Sequence, residues 1–247
     1  MPLLTNPTSM TQQTIDGTGY GFSAKGVDEI GASEVTLVGI AIDRSGSTSG
    51  FQDRIEAAMG EIVRACLKSP RAGNLMLRLL VFDSHLDEIH GFKMLGECNP
   101  DDYLGVAKPR GATALYDASL NITESVTRYG KSLYQNGQDV NGIVFVITDG
   151  EENVSKMTVG EVKKAFEHAV RSESIESLRT VLIGLNVNAS LNSYLQGFKD
   201  DAGFDQYVGI ATATAKELAK LADFVSKSIS SQSTALGSGG PSQSLTF

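Results

Sequence analysis

Five oxygen-bearing side chains in three separate segments have the residue types that bind a hard metal ion. They are Asp43, Ser45 and Ser47 in the segment Asp-Arg-Ser-Gly-Ser, Thr113 in Arg-Gly-Ala-Thr-Ala-Leu, and Asp149 in Ile-Thr-Asp-Gly. Hard divalent cations such as Mg²⁺ or Mn²⁺ prefer carboxylate and hydroxyl oxygens as ligands. The sequence therefore predicts a metal site, provided that the fold brings the three segments together.

The elements that must position these side chains alternate between apolar runs and helical patterns, which is typical of an α/β sheet. The predicted strands are 36–43, 75–83, 86–92, 142–148, 178–185 and 206–210. Only Ser84 and His85 separate the second strand from the third, and this link is too short for a parallel crossover. We therefore predict a doubly wound, mostly parallel six-stranded sheet, Rossmann-like, in which the third strand is an antiparallel edge strand.

The usual strand order of such a sheet predicts where the three segments meet. In the order 3-2-1-4-5-6, strands 1 and 4 lie side by side where the winding reverses. Asp43 ends strand 1 and Asp149 ends strand 4. Both carboxylates are therefore expected at the carboxyl-end edge of the sheet, where open α/β sheets bind ligands. Thr113 precedes the helix that leads back to strand 4, so its loop is expected over the same edge.

This three-part pattern resembles the metal-ion-dependent adhesion site (MIDAS) of the von Willebrand factor A (vWA) family, in its intracellular bacterial or phage type. The resemblance covers about residues 35–230 and implies Mg²⁺ as the cofactor, with Mn²⁺ or Ca²⁺ as alternatives. One departure from the family pattern is Ala112, which stands where a second glycine often precedes the threonine.

The resemblance also implies how each side chain acts. The hydroxyls that match Ser45 and Ser47 bind the cation directly, and the threonine that matches Thr113 does so in the ligand-bound state. The carboxylates that match Asp43 and Asp149 act mostly through water. A cation with few direct negative ligands stays electrophilic and keeps one position open for an Asp or Glu of a partner.

The function implied by the resemblance is a non-catalytic protein-interaction module. It would bind an acidic residue of a partner protein through Mg²⁺, as an adaptor in an intracellular multiprotein complex of the ATPase-associated or stress-resistance kind. An AAA-type ATPase and a second copy of the chain are the candidate partners. One alternative is a structural assembly subunit in which the metal only staples the loops.

A second alternative is a Mg²⁺-dependent hydrolase or phosphatase. Haloacid-dehalogenase phosphatases resemble this chain in having an aspartate after the first strand, but they carry a second carboxylate two residues later. Here that position is Ser45, which cannot act as a general acid near neutral pH. We therefore expect that the protein is not an enzyme.

Composition narrows the classes of partner and the compartment. The formal net charge is −8 and the 21 Lys and Arg residues are scattered, so a nucleic-acid-binding surface is not expected. The first residues contain no secretory signal pattern, and no segment has the roughly 18 apolar residues that span a bilayer. Two cysteines do not make a disulfide framework. We expect a cytoplasmic protein that binds neither nucleic acid nor membranes.

The chain divides by composition into three parts. Residues 1–33 read as a partly ordered N-terminal arm with one short strand at 19–23, and residues 34–231 as the vWA domain. Residues 232–247 are rich in Ser and Gly and read as a flexible tail with an apolar tip. The charged side chains beside the predicted site, Arg44, Glu151 and Glu152, are interpreted as solvated surface charge.

Overall fold

Eight strands and five helices make up residues 10–240 and 245–247, the part of the chain that the computed structural model describes. The strands are β1 (Met10–Ile15), β2 (Tyr20–Lys25), β3 (Glu34–Asp43), β4 (Leu75–Phe82), β5 (Leu86–Met94), β6 (Asp139–Thr148), β7 (Leu178–Leu185) and β8 (Gln206–Ile210). The helices are α1 (Gln52–Leu67), α2 (Leu115–Gln135), α3 (Val159–Arg171), α4 (Ala189–Ala202) and α5 (Ala215–Ser238).

The strands form one sheet in the order β1-β2-β5-β4-β3-β6-β7-β8. Its last six strands have the order predicted from the sequence, and β4 and β5 are antiparallel as expected. The predicted count of six strands is wrong, and so is the placement of β5 at the edge. Instead β2 pairs in parallel with β5 at Ala24 and Phe92, and β1 is the outer strand.

Strands β1 and β2 form a hairpin within the segment predicted to be an arm. The turn between them contains Gly17 and Gly19, both at positive φ (78° and 72°), a conformation that glycine adopts without steric cost. Strand β1 is polar and mostly exposed, so it lacks the apolar alternation by which a half-buried strand is recognised. Residues 1–9 of the predicted arm lie outside the described residues.

The sheet is covered on both faces, which explains the nearly continuous apolar runs in its central strands. One face packs against α1 and α5, and the other against α2, α3 and α4. The apolar helix residues that face the sheet are buried, for example Ile55, Ile122, Val162 and Val225. Val170, near the end of α3, points away from the core and is 77% exposed. No helix in the described ranges is long and apolar enough to cross a membrane.

Helix α5 extends further than the sequence pattern indicates. It ends at Ser238, before Gly239 in the left-handed conformation, so the flexible tail predicted from residue 232 is wrong for its first seven residues. The Gln232 side chain is buried and donates to the Gly142 carbonyl at 3.0 Å, which explains the continuation. Residues 241–244 of the predicted tail lie outside the described residues.

The apolar tip of the chain returns to the body of the protein. The Gln206 side-chain amide donates to the Leu245 carbonyl at 2.9 Å, and Leu245 packs against the α5 side of the core. The Phe247 ring meets the Phe224 ring edge-on at 5.7 Å. The C-terminal tip therefore docks on its own chain.

Candidate metal centre

Adjacent strands β3 and β6 bring the two aspartates of the predicted site to one edge of the sheet. Asp43 ends β3 and is buried; its Oδ1 accepts a hydrogen bond from the Ser45 amide at 2.7 Å. Its Oδ2 accepts from the Thr148 hydroxyl, at the end of β6, at 2.6 Å. Asp149 is the next residue along the chain. The carboxylate of Asp43 is thus fixed from both strands.

The hydroxyls of the predicted site lie between the two carboxylates. Ser45 Oγ and Ser47 Oγ are 2.9 Å apart, and Ser47 Oγ donates to Asp149 Oδ1 at 2.7 Å. Ser45 is buried, whereas Ser47 is exposed and Asp149 half-buried. The cluster therefore runs from a buried aspartate to the protein surface and is open to solvent.

Gly150 marks the point where the third segment joins the cluster. A Cβ atom placed on Gly150 would lie 3.1 Å from Thr113 Oγ1, 3.8 Å from Ser47 Oγ and 3.9 Å from Asp43 Oδ2. Glycine leaves this space free of a side chain. The structure thus brings all five predicted side chains around one spot.

Two hydrogen-bonded links fix the loop that carries Thr113. The Gly46 amide donates to the Gly111 carbonyl at 3.2 Å, which ties this loop to the serine turn. Asn153 Oδ1 accepts from the Thr113 amide at 2.9 Å, and the Asn153 amide donates to the Thr113 carbonyl at 3.1 Å. Neither Asn153 nor Thr148 is predicted as a site residue from the sequence, because a single polar residue in a loop or at a strand end carries no distinctive pattern.

An ion-pair cluster with a buried Arg44–Asp83 pair at its centre lies beside the serine turn. Asp83 accepts from the Nε atoms of Arg44 at 2.8 Å and of Arg110 at 2.7 Å, and both guanidinium groups also contact Asp87. The Arg44 side chain is 8% exposed, so its interpretation as solvated surface charge is wrong. These hydrogen bonds hold the pKa of Asp83 below its usual value against the opposing effect of burial. The cluster joins the end of β3 to the Thr113 loop.

Glu152 is a second charged side chain that the structure places differently from the sequence-based interpretation. Its carboxylate accepts from the amides of Tyr116 at 3.0 Å and Val154 at 2.7 Å, and from the Ser155 hydroxyl at 2.6 Å. It therefore satisfies the first turn of α2 and shapes the loop after Asp149. Glu151, by contrast, is exposed as expected.

The electrostatics of the cluster fit a divalent cation. Burial raises the pKa of Asp43, and burial together with the charge of Asp43 raises the pKa of Asp149 to about 6. Two carboxylates held close together without an opposite charge are costly, and a divalent ion would supply that charge. No group of three His, Cys, Asp or Glu side chains suited to a metal occurs within residues 10–240 and 245–247. A cation here would therefore depend on the hydroxyls of Ser45, Ser47 and Thr113.

Known proteins resemble this chain in structure but not detectably in sequence. No family model matches this sequence, and no curated protein matches it. PilB, a minor pilin from Streptococcus sanguinis, has a TM-score of 0.60 at 15% identity over 93% of this chain and 68% of its own. The pilus adhesin SpaC from Lactobacillus rhamnosus GG has a TM-score of 0.56 at 12% identity over 92% of this chain and 35% of its own.

A third solved structure with the same architecture is called VWA2. The ArnB paralog VWA2 from Sulfolobus acidocaldarius has a TM-score of 0.50 at 14% identity over 80% of this chain and 45% of its own. The fold is von Willebrand factor A-like. At these identities the likeness shows the fold alone. The vWA-like architecture expected from the sequence is confirmed, and the metal, the partner and the location expected with it stay predictions.

Proposed function

We propose that this protein is a non-catalytic binding module that holds Mg²⁺ at Asp43, Ser45, Ser47, Thr113 and Asp149 and binds an acidic residue of a partner protein through that ion. The observation that carries the proposal is the convergence of three hydroxyls and two carboxylates around Gly150. Mn²⁺ and Ca²⁺ are alternative ions, since both accept oxygen ligands.

The balance of charge in the cluster favours partner binding. The hydroxyls carry no charge, so no more than two carboxylates of the cluster face the ion and it can still attract a further anion. Ser47 and Asp149 lie at the surface, where an Asp or Glu of another protein can approach. Four carboxylates in the same place would saturate the ion and disfavour such an approach.

The proposal also covers the partner and the compartment. An adaptor role in an intracellular complex, with an AAA-type ATPase or a second copy as partner, follows from the family resemblance. A cytoplasmic location agrees with Cys66 and Cys98, which are both free and buried. PilB is a minor pilin and SpaC a pilus adhesin, so fractionation of the native cells should be part of any search for the partner.

Titration of Mg²⁺, monitored by calorimetry, tests the metal site directly. Asp43→Ala and a Ser45→Ala/Ser47→Ala double variant should weaken Mg²⁺ binding by about 10–100-fold, the range seen when groups that support a metal are removed. Ser49→Ala is the matched control, because Ser49 is an exposed serine of the same turn. Equal Mg²⁺ affinity in wild type and Asp43→Ala would contradict the site.

The alternatives make different predictions. If the metal only staples the loops, chelation with EDTA lowers the melting temperature and leaves a partner complex intact. If the protein is a Mg²⁺-dependent phosphatase, wild type hydrolyses a generic phosphate ester in Mg²⁺ and Asp43→Ala does not. Asp43, Asp149 and Glu151 are the carboxylates we consider for such a reaction, and we expect no hydrolysis.

A further inference from the structure

A groove of about 510 Å³ lies between the first turns of α2 and α3 and one face of α4. Its aromatic walls are Tyr116, Tyr194 and Phe198, and the Tyr116 and Phe198 rings are 5.0 Å apart. The rest of its lining is Val159, Ser190, Ser193, Gly197 and Asp201. On α4 the small residues lie at the spacing of one helix face, so this face is low. The Tyr116 and Tyr194 rings that line the groove are half-buried, and the Phe198 ring is buried.

The groove shares a wall with the candidate metal centre. Tyr194 OH lies 3.1 Å from Tyr116 OH and accepts from the Glu152 amide at 3.2 Å. Tyr116 follows Thr113 by three residues, and Glu152 follows Asp149 by three residues. The loops that carry two of the proposed metal ligands therefore continue directly into the groove.

The far end of the groove carries an unbalanced negative charge. Asp200 and Asp201 both lie in the last turn of α4, where the helix dipole disfavours a carboxylate. Asp200 is paired with Lys199 at 3.0 Å, whereas Asp201 makes no ion pair within the described part of the chain. The exposed Asp201 carboxylate can therefore pair with a cationic group of another molecule.

We infer that this groove binds the segment of the partner that flanks the metal-binding acidic residue. That segment carries an apolar or aromatic side chain, which packs against the half-buried rings of Tyr116 and Tyr194, and a Lys or Arg, which pairs with Asp201. The inference rests on the proposed function, because it assigns the groove to the same partner. It adds a sequence preference that a metal ion alone does not supply.

A library of short peptides with one fixed aspartate and randomised flanking positions tests the inference. Selection on the full-length protein in Mg²⁺ should enrich an apolar or aromatic residue and a Lys or Arg on one side of the aspartate. Binding of the selected peptides should be lost in EDTA and in Asp43→Ala. These two controls report on the proposed function, independently of the groove.

Gly197→Leu should fill part of the groove and leave the fold intact. A Cβ on Gly197 meets no atom within 4 Å, and leucine favours a helix more than glycine does. We expect the selected peptides to bind about tenfold more weakly, because one apolar side chain of the peptide would lose its buried contact. Gln196→Leu is the matched control, because it adds the same side chain on an exposed part of α4 outside the groove.

A charge variant tests the basic position. Asp201→Asn should abolish the enrichment of Lys and Arg, and Asp200→Asn should leave it unchanged. Selected peptides that bind only in Mg²⁺ but show no flanking preference would overturn the role of the groove and leave the proposed function standing. Peptide binding that Gly197→Leu does not alter would do the same. Selection of apolar and basic peptides without Mg²⁺ would overturn the assignment to a shared partner. Absence of Mg²⁺-dependent selection would overturn the proposed function and this inference with it.

Discussion

At the scale of single residues, some side chains of the candidate metal centre can be predicted from the sequence and others cannot. The five oxygen ligands follow a spaced pattern, and their types and order predict that they meet. Thr148 and Asn153 orient Asp43 and the Thr113 loop through hydrogen bonds, yet nothing in their sequence context distinguishes them from other polar residues. Arg44 looked like surface charge because its partner, Asp83, is 39 residues away in the sequence.

His90 gives a residue-scale prediction that is independent of the metal centre. Its Nε2 lies 3.1 Å from Tyr103 OH and its Nδ1 3.0 Å from the Gly91 carbonyl. Burial, reinforced by the charges of Lys93 and Arg78, lowers the pKa of His90 from 6.5 to about 3. Below pH 6.5 the unfolded chain therefore binds a proton that the folded protein does not, and stability falls as the pH falls.

We expect the free energy of unfolding to fall by up to about 1.4 kcal/mol per pH unit, or about 2 kcal/mol between pH 6.5 and pH 5. Urea unfolding at several pH values measures this dependence. Other groups titrate in the same range, so the comparison is with His90→Gln, whose free energy of unfolding should change less over that interval. Parallel profiles for the two proteins would show that His90 is protonated in the folded state.

At the scale of elements, the sequence predicts the central strands well and the hairpin poorly. Strands β3, β4, β6 and β7 are continuous apolar runs because both faces of the sheet are covered. The hairpin instead joins the sheet largely through side chains. Glu88 accepts from the Ser23 amide at 3.0 Å and from buried Arg78 at 2.7 Å. Contacts between residues so far apart in the chain leave no local pattern.

Gly91→Ala tests the junction between the hairpin and the rest of the sheet. A Cβ on Gly91 would lie 2.1 Å from the Ser23 carbonyl oxygen, which is backbone and cannot move without displacing β2. We expect a loss of about 1–3 kcal/mol in the free energy of unfolding, typical of overpacking. Gly96→Ala, where a Cβ meets nothing within 4 Å, should change stability little. Equal stability of the two variants would contradict the tight junction.

The hairpin also reaches the loop that follows Asp149. Tyr20 OH donates to Asp117 Oδ2 at 2.5 Å, and Asp117 Oδ1 accepts from the amides of Lys156 at 3.0 Å and Met157 at 2.8 Å. Asp117 lies in the first turn of α2, just after Thr113. The hairpin therefore supports two of the segments that form the candidate metal centre.

Tyr20→Phe tests this support, because it removes one hydroxyl and keeps the ring. We expect Mg²⁺ affinity to fall about twofold to thirtyfold, the range for residues that act on a site through intervening contacts. Tyr134→Phe, at an exposed position of α2, is the control and should bind Mg²⁺ like wild type. Calorimetric titration of both variants measures the effect, and unchanged affinity in Tyr20→Phe would show that the hairpin does not influence the site.

At the scale of the whole molecule, one edge of an acidic protein combines the candidate metal centre, the groove and the buried Arg44–Asp83 pair. A ligand that binds only the folded state raises its stability, by about 2.7 kcal/mol at a hundred times the dissociation constant. For a chain of this size that corresponds to roughly 5–10 °C in melting temperature. We expect Mg²⁺ to raise the melting temperature of wild type by this amount, and of Asp43→Ala hardly at all.

Equal stabilisation of wild type and Asp43→Ala would mean that Mg²⁺ binds elsewhere, for example non-specifically to a protein with a formal net charge of −8. Gln52→Ala provides a further control, because Gln52 caps the neighbouring Gly50 amide without belonging to the oxygen cluster. Its melting temperature should respond to Mg²⁺ as that of wild type does.

The most direct test of the central claim is affinity capture from native lysate in Mg²⁺ and in EDTA, with Asp43→Ala in parallel and mass spectrometry to identify what is bound. We predict a partner protein that wild type retains in Mg²⁺ and that is lost both in EDTA and with Asp43→Ala. The same partners on wild type and Asp43→Ala, with or without EDTA, would contradict the claim that this protein binds its partner through a metal ion.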